Sequence, residues 1–239
     1  MVINDGLENI DIVILAGGLG TRIQKILSNT PKVLAPINGT PFLEYLLCWL
    51  ETFRARRVVL CLGYLAEKVE EYLDNHKVSK IKVDTVIEDK PLGTAGALRL
   101  ALPLLNSKHI MVMNGDSWLD TNLTSFVQSH LDSNARLSML CVKVDDCHRY
   151  GRVDIDDDGV FNKFVEKDKN FNGSGLINAG IYLFEKNVIN NLSMVAGSSL
   201  ECDIIANEPK GSINAFIVKH DTFIDIGTPD SLLAANEIL

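Results

Sequence analysis

A glycine-rich segment near the start of the chain combines residue types that can bind a polyphosphate. An apolar run at residues 12–16 leads into Gly-Gly-Leu-Gly-Thr-Arg at residues 17–22, and Pro-Lys follows at residues 31–32. Glycines let successive backbone N–H groups approach an anion, and a helix that starts near Thr21 would add the positive end of its dipole. We therefore expect a polyphosphate cradle here.

Two well-known phosphate loops do not fit this segment. A dinucleotide fingerprint that starts at Gly18 needs a glycine at position 23, which is Ile23. A P-loop needs Lys and then Ser or Thr after its last glycine, whereas Gly20 is followed by Thr21 and Arg22. A simple glycine turn between strand and helix accounts for neither Arg22 nor the later lysine.

Two aspartates have the sequence context of metal ligands. Asp116 follows the apolar run 110–113 and so is expected at the carboxyl end of a buried strand, where open parallel sheets bind ligands. Asp225 lies between apolar residues in Phe-Ile-Asp-Ile-Gly-Thr, where a negative charge is costly unless it is paired with a cation. Two such carboxylates can hold one Mg²⁺, which takes phosphate oxygens and waters as its other ligands.

The glycine segment with its downstream Pro-Lys resembles the signature of the sugar-1-phosphate nucleotidylyltransferases, and the resemblance extends from about residue 11 to residue 239. In that family the glycine loop holds the triphosphate of a nucleotide, and aspartates at the positions of Asp116 and Asp225 bind magnesium. The resemblance implies catalytic roles for Arg22, Lys32, Asp116 and Asp225. It implies nucleotide contacts from Leu15, Ala16, Gly17, Gly18, Gly20, Thr21, Glu88, Gly93 and Thr94.

Three later segments each interrupt a strand with polar residues and a glycine, at 149–151, 165–167 and 177–182. Each alone is explained by turn chemistry or by an exposed ion pair. Their order matches the family, in which Tyr-Gly, Glu and Asn contact sugar hydroxyls and Lys binds the sugar phosphate. The implied sugar-phosphate residues are Asn114, Tyr150, Gly151, Glu166, Lys167, Asn178 and Gly180.

The loop at residues 88–97 is the candidate base-binding segment. Glu88 or carbonyl groups could accept hydrogen bonds from guanine, but backbone atoms at Gly93 could equally hold uracil or thymine. Its Pro-Leu-Gly-Thr-Ala-Gly-Ala string resembles the guanylyltransferase branches, and the whole chain is most similar to the bacterial D-glycero-α-D-manno-heptose 1-phosphate guanylyltransferases. Residues 23–25 depart from the Leu-x-Pro that many relatives have.

This resemblance implies transfer of a nucleotidyl group from GTP, or another NTP, to a sugar 1-phosphate, with Mg²⁺ as cofactor and a role in cell-surface polysaccharide biosynthesis. Four alternatives stay open: a mannose-1-phosphate guanylyltransferase, a uridylyl- or thymidylyltransferase, a metal-dependent glycosyltransferase, and a non-catalytic nucleotide-sugar-binding regulatory module. A sensor can lose its catalytic charges, whereas all of them are present here.

Composition restricts the partners and the location. The formal charge of −8 argues against a nucleic-acid surface, and the short basic cluster at residues 54–57 is expected at a helix C-terminus. No apolar run approaches a membrane span, so we expect a cytoplasmic protein; the sequence leaves a homo-oligomer open. Cys48, Cys61 and Cys141 are expected as small buried hydrophobes, and neither a disulfide framework nor a structural zinc site is expected.

The elements that must position these residues alternate between strands and helices. We expect strands at residues 57–62, 80–87 and 109–113, with helices from about Pro41, capped by Thr40, at 66–74 and at 94–105. Strands are expected at 135–144, 151–167, with a hairpin turn at 156–159, and 176–184, before a final helix at Thr228-Pro229. The prediction is one α/β domain over residues 1–239, with a nucleotide-binding half (about 11–134) and a sugar-phosphate half (about 135–239). Its fold is a Rossmann-like mixed, mainly parallel sheet flanked by helices, the nucleotide-diphospho-sugar transferase fold.

Overall fold

The computed structural model describes residues 6–157, 159–166, 173–191, 198–218 and 222–239. Its strands are β1 (Ile10–Leu15), β2 (Pro36–Ile37), β3 (Thr40–Pro41), β4 (Arg57–Leu62), β5 (Lys82–Ile87), β6 (His109–Asn114), β7 (Ser117–Leu119), β8 (Leu137–Val144), β9 (Arg152–Ile155), β10 (Phe161–Val165), β11 (Gly175–Glu185), β12 (Ile213–Val218) and β13 (Phe223–Asp225). Its α-helices are α1 (Gln24–Leu27), α2 (Phe42–Thr52), α3 (Ala66–Asn75), α4 (Gly93–Ala101), α5 (Leu123–Asp132), α6 (Lys186–Asn191), α7 (Leu200–Asp203) and α8 (Pro229–Ile238).

Nine of the strands in these ranges form one sheet, and its first half is parallel. The order β6-β1-β4-β5 is parallel throughout, with Val13 of β1 opposite both Val59 and Val112. These three valines are fully buried, as expected for central strands covered by helices on both faces.

The second half of the sheet is mainly antiparallel. The long strand β11 pairs antiparallel with β6 and β8, while β12 adds to β8 in parallel. Strands β9 and β10 form a hairpin, and the Asp156 N–H donates to the Val160 carbonyl across the expected turn. The prediction of a mixed, mainly parallel α/β sheet is confirmed, and strands from both predicted halves meet where β11 joins β6; the single-domain assignment itself stays a prediction.

Apolar side chains pack on both faces of the sheet because neighbouring strand residues point in opposite directions. Ile12 and Ile14 belong to one buried cluster with Leu46 of α2, whereas Val13 belongs to the other with Leu98 of α4. None of the helices in the described ranges has the length and apolar character that crossing a bilayer requires.

Three expectations about helix ends differ from the structure. The helix expected near Thr21 is the four-residue α1, which starts only at Gln24, so its dipole adds little to the cradle. Pro41, not Thr40, is the cap of α2, because residues 40–41 pair with β2 instead. The helix expected at 94–105 ends as α4 at Ala101 and continues as a 3₁₀ turn, Leu102–Leu104.

The basic cluster at residues 54–57 directly follows the C-terminus of α2, where it was expected, since the helix ends at Thr52 with Phe53 as its C-cap. Arg54 and Arg56 pair with Glu8 at 3.1 and 2.8 Å, and Arg57 pairs with Asp84 at 2.7 Å. These ion pairs give the arginines partners in addition to their position at the end of the helix.

The cysteines follow the expectation in part. Cys61 and Cys141 are buried, and burial raises the pKa of the Cys61 thiol to about 12. Cys48 is exposed, so its predicted burial is wrong; it lies on the outer face of α2. All five cysteines are free thiols.

Candidate active site

A cleft of about 680 Å³ opens at the carboxyl ends of the parallel strands. It is lined by every predicted site residue in the described ranges, namely Leu15, Ala16, Gly17, Gly18, Gly20, Thr21, Arg22, Lys32, Glu88, Gly93, Thr94, Asn114, Asp116, Tyr150, Gly151, Glu166, Asn178, Gly180 and Asp225. The remaining predicted residue, Lys167, lies outside the described residues. The roles of these residues stay predictions, but their common location is a finding.

The loops after β1 and β6 lock together at the floor of the cleft. The Gly115 N–H donates to the Leu15 carbonyl at 2.9 Å, and a Cβ on Gly115 would lie 2.9 Å from that same oxygen. Glycine is therefore required where the Asn-Gly-Asp turn passes the start of the cradle, and this close packing sets the position of Asp116 beside it.

Lys32 lies beneath the glycine loop and reaches both aspartates. Its side chain passes within 3.6 Å of the Cβ position of Gly20, a residue with a φ of +58°. Its ammonium group forms an ion pair with Asp116 and lies 3.9 Å from Oδ1 of Asp225. One cation therefore bridges two carboxylates that are far apart in the sequence.

The ribbon formed by β7 and β13 brings the second aspartate to this position. Asp225 lies opposite Ser117, and the Ile226 N–H donates to the Asp116 carbonyl at 3.0 Å. The Gly227 N–H donates to Oδ1 of Asp225 at 2.8 Å, which fixes the orientation of the carboxylate.

Electrostatics makes this pair of carboxylates a candidate cation site. Burial, and then the charge of Asp116, raise the pKa of Asp225, while Lys32 opposes the shift. Among the described residues, no group of three or more His, Cys, Asp or Glu side chains is arranged to hold a metal ion. Two carboxylates without further protein ligands fit Mg²⁺ that is shared with substrate phosphates, but not a metal held by protein alone.

Glu88 is held by the loop that it begins. Its Oε2 accepts a hydrogen bond from the Leu92 N–H at 2.9 Å. Its Oε1 lies so close to Gly17 and Gly63 that a Cβ on either would be 2.8 or 2.6 Å away. One carboxylate oxygen of Glu88 is thus used to shape the base-side loop, and the other lies against the cradle.

The sugar side of the cleft is built around a bulge in β11. Gly180 has a φ of +74°, and its N–H donates to Oδ1 of Asn178 at 2.8 Å. A Cβ on Gly180 would overlap the amide group of Asn114. Across the cleft, the ring of Phe164 packs directly on Gly151. Asn114 on β6 and Gly180 on β11, two of the predicted sugar residues, are therefore in direct contact, and Gly151 lies just before β9.

Several residues at the cleft were not predicted. Arg149 lies behind Tyr150, with its guanidinium carbon 5.6 Å from the ring centre and Nη2 3.6 Å from Oδ2 of Asp225. Within the described part of the chain, its buried Nε and Nη2 atoms have no hydrogen-bond partner. Its position directly before the predicted Tyr150-Gly151 pair could have identified it as a site residue. Other lining residues also went unpredicted; among them are Ser198, Ser199, Glu201 and Cys202, which no motif surrounds, and Phe164 and Phe223, which border predicted motifs.

Comparison with known proteins gives one family and a consistent set of relatives. Residues 11–239 match the family described as Nucleotidyl transferase. The chain is 35% identical over 218 residues to a D-glycero-alpha-D-manno-heptose 1-phosphate guanylyltransferase of Campylobacter jejuni, covering 91% of this chain and 95% of that protein. It is 31% identical to the enzyme of the same name from Aneurinibacillus thermoaerophilus, covering 96% of this chain and 98% of that protein.

Two solved structures of one bacterial protein share the fold of this chain. The crystal structure of HddC from Yersinia pseudotuberculosis superposes with a TM-score of 0.84 at 36% identity, covering 96% of this chain and 99% of that one. A second structure of that protein, complexed with GMP-PN, gives a TM-score of 0.84 at 35% identity, with the same coverage of both chains.

Proposed function

Since this chain belongs to the nucleotidyl transferase family, we propose that it transfers a guanylyl group from GTP to a sugar 1-phosphate, with release of pyrophosphate. It is a sugar-1-phosphate nucleotidyltransferase, as are the relatives that match nearly its whole length. The observation that carries the proposal is the cleft itself, in which a glycine loop, two cations and two carboxylates meet beside a separate polar sugar side.

The reaction needs position and charge but no protein nucleophile. An oxygen of the sugar phosphate attacks the α-phosphorus of GTP, a new P–O bond forms, and the bond to the pyrophosphate oxygen breaks. The backbone N–H groups of residues 17–21 bind the leaving phosphates in this proposal. Arg22 and Lys32 offset the charge that develops on them.

Asp116 and Asp225 are proposed to hold Mg²⁺ with the substrate phosphates. When bound, the ion neutralises phosphate charge and aligns the reacting oxygens. Lys32 offsets part of the charge of these carboxylates in the free protein, since its ammonium group lies within ion-pair distance of both. In this proposal the same side chain turns toward the nucleotide phosphates when they arrive; its aliphatic part already lies next to Gly20.

GTP and a manno-configured heptose 1-phosphate are the proposed substrates. The support is that the two named relatives act on this heptose 1-phosphate and that the Yersinia protein is complexed with GMP-PN. Asn178, Gly180 and Glu166 are the proposed contacts of the sugar hydroxyls, and Lys167 is the proposed contact of the sugar phosphate.

We also propose that the reaction takes place in the cytoplasm, and that its product, a nucleotide sugar, serves as a glycosyl donor for cell-surface polysaccharide biosynthesis.

Pyrophosphate release from GTP, ATP, UTP and dTTP, each with the 1-phosphates of heptose, mannose, glucose and N-acetylmuramic acid, tests the proposal. We expect the highest kcat/KM for GTP with the heptose. UTP should be rejected strongly, because it leaves buried acceptors for guanine unpaired. Mannose 1-phosphate should react less well, since one missing small group is worth about 1 to 3 kcal/mol.

Each other outcome has a definite meaning. Equal use of UTP and GTP, or a preference for glucose 1-phosphate, would overturn the guanylyl-heptose assignment and leave nucleotidyl transfer standing. Binding of a nucleotide sugar without turnover of any pair would identify the regulatory module instead.

A further inference from the structure

A continuous chain of hydrogen bonds runs beneath the cleft, from the nucleotide side to the sugar side. It begins at Thr94, on the first turn of α4, and ends at Asn178, in the bulge of β11. Its two middle members are Glu201 of α7 and Tyr182 of β11. Glu201 belongs to no motif that the proposed function uses, and Tyr182 ends the 177–182 segment without a role assigned to it.

Tyr182 is the buried centre of this chain. Its side chain is fully buried and is absent from the lining of the cleft, so it does not touch a substrate. Its hydroxyl donates to Oε1 of Glu201 at 3.0 Å and accepts from Nδ2 of Asn178 at 2.5 Å. A phenol this deep in the core needs both partners, because an unpaired buried hydroxyl is costly.

The other oxygen of Glu201 reaches the nucleotide side. Oε2 accepts from Thr94 Oγ1 at 3.3 Å and from Ser199 Oγ at 3.2 Å. Thr94 Oγ1 accepts in turn from the Leu200 N–H at 2.8 Å, and the Ala95 N–H donates to the Ser198 carbonyl at 2.9 Å. Residues 198–201 therefore clamp the start of α4, next to the candidate base-binding loop.

At the sugar end, the same chain fixes an amide group that faces the cleft. One N–H of Asn178 is used by Tyr182, and its Oδ1 is used by the Gly180 N–H. A side-chain amide has two N–H donors and two acceptor lone pairs, so one of each is left for a sugar hydroxyl. The direction of these groups is set by Tyr182.

We propose that Glu201 and Tyr182 are positioning residues that couple the two substrate sites, so that a bound nucleotide strengthens the binding of the sugar 1-phosphate, and the reverse. The proposal rests on the proposed function, because it takes Thr94 as a nucleotide contact and Asn178 as a sugar contact. Ordering Thr94 from one side fixes the carboxylate of Glu201, the hydroxyl of Tyr182 and then the amide of Asn178. Such coupling is reciprocal by thermodynamic necessity.

Tyr182→Phe tests this directly, since it removes the hydroxyl and keeps the ring. Isothermal titration calorimetry with Mg²⁺ gives the Kd of the α,β-methylene analogue of GTP, without and with a saturating sugar 1-phosphate, the one with the highest kcat/KM in the panel above. We expect the sugar to tighten nucleotide binding about fivefold or more in the wild type, in the usual range of such coupling. In Tyr182→Phe this factor should fall to about one.

Tyr45→Phe is the matched control. It removes a hydroxyl that donates to the Ile37 carbonyl at 3.1 Å, on α2 and outside the lining of the cleft. It should retain the wild-type coupling factor. Thr94→Val removes the hydroxyl at the partly exposed end of the same chain of hydrogen bonds. It replaces Tyr182→Phe as the test variant if Tyr182→Phe does not fold. The double variant should lose no more coupling than either single one.

Three results would overturn the inference. A wild-type coupling factor near one would do so, as would an unchanged factor in both Tyr182→Phe and Thr94→Val, or equal losses in Tyr45→Phe and Tyr182→Phe. Failure of the proposed function is a separate result, because it appears as absent turnover of the wild type with every pair in the pyrophosphate assay.

Discussion

At the scale of single residues, the cleft is organised by one lysine between two carboxylates. Lys32 pairs with Asp116 and lies 3.9 Å from Asp225, while Arg149 approaches Asp225 from behind at 3.6 Å. Two positive and two negative groups thus compensate one another before any substrate binds. Removal of one member leaves a buried charge without its partner, which is costly.

Replacement of either aspartate should stop catalysis but not folding. Asp116→Asn and Asp225→Asn should each lower kcat by about two orders of magnitude or more, because a preorganised charge at the reacting centre is lost. Initial rates of pyrophosphate release measure the effect, and a urea melt checks the fold. Asp120→Asn changes an exposed carboxylate after β7 and should keep the wild-type rate. Wild-type rates in both cleft variants, or in EDTA, would exclude the two-carboxylate centre.

Arg22 and Lys167 should differ in the kind of defect that their loss causes. Arg22→Ala should lower kcat with every sugar, because its partner is the leaving pyrophosphate, whereas Lys167→Ala should mainly raise the KM for the sugar 1-phosphate. Lys25→Ala, an exposed cation on α1, is the control for a general loss of positive charge. Steady-state kinetics with each substrate varied separates these cases. Weaker GTP binding in Lys167→Ala, with an unchanged sugar KM, would reverse the placement of the two substrates.

At the scale of elements, patterns in the sequence locate the strands but not every connection between them. The strand predicted at 57–62 coincides with β4, because residues 58–62 are apolar, as in a central parallel strand buried on both faces. The helix α5 and the edge strand β12 carry mixed residues and were not predicted. The bulge at Asn178 and Gly180 has a sequence signal only in its glycine, since its geometry comes from packing on Asn114.

This bulge can be tested with two glycines of the same backbone conformation. Gly180 and Gly159 have φ values of +74° and +79°, but only at Gly180 would a Cβ meet another residue. Gly159→Ala should lose about 1 kcal/mol of stability from backbone strain alone. Gly180→Ala should lose about 2 kcal/mol more, because the new methyl group overlaps the Asn114 amide.

Urea denaturation measures the two changes in stability, and kinetics adds a second criterion. Gly180→Ala should raise the KM for the sugar 1-phosphate, while Gly159→Ala should leave it unchanged. Equal stability losses, or an unchanged sugar KM in Gly180→Ala, would show that the bulge does not shape the sugar side.

At the scale of the whole molecule, sequence reasoning found the residues of the cleft but not the links that hold them in place. Glycine, lysine and aspartate at fixed spacing indicate phosphate chemistry locally, so the cradle and the two aspartates were predicted. No local pattern distinguishes Glu201 from an ordinary polar residue. Arg149 and Tyr182 lie beside predicted motifs, but the motifs do not reveal their contacts with distant segments. Those contacts are visible only in the three-dimensional arrangement.

The buried histidine His130 should make the stability of the whole protein depend on pH. Its side chain is 2% exposed, its Nδ1 lies 2.7 Å from the Ser138 hydroxyl, and burial lowers its pKa to about 4. In the unfolded chain a histidine titrates near pH 6.5, so below that pH the unfolded state binds more protons and stability falls. This group alone should remove about 2 kcal/mol between pH 7 and pH 5.

Urea melts at pH 7 and pH 5 measure the change. His130→Gln should be less stable than the wild type at pH 7 but should lose less on acidification. His76→Gln, which replaces an exposed histidine after α3, should retain the full wild-type dependence. An equal pH dependence in wild type and His130→Gln would assign the acid sensitivity to other groups.

The ribbon of β7 and β13 has a consequence for the order of events during synthesis. Asp116 is made when roughly half of the chain has been synthesised, but its partner on β13 is made only at residue 225. Between these two points of translation, the glycine loop, Lys32 and Asp116 exist without the second carboxylate. Contacts between such distant segments form late in folding. A nascent chain thus carries an incomplete centre. On refolding, activity should return in the slowest folding phase, the one in which β13 pairs with β7.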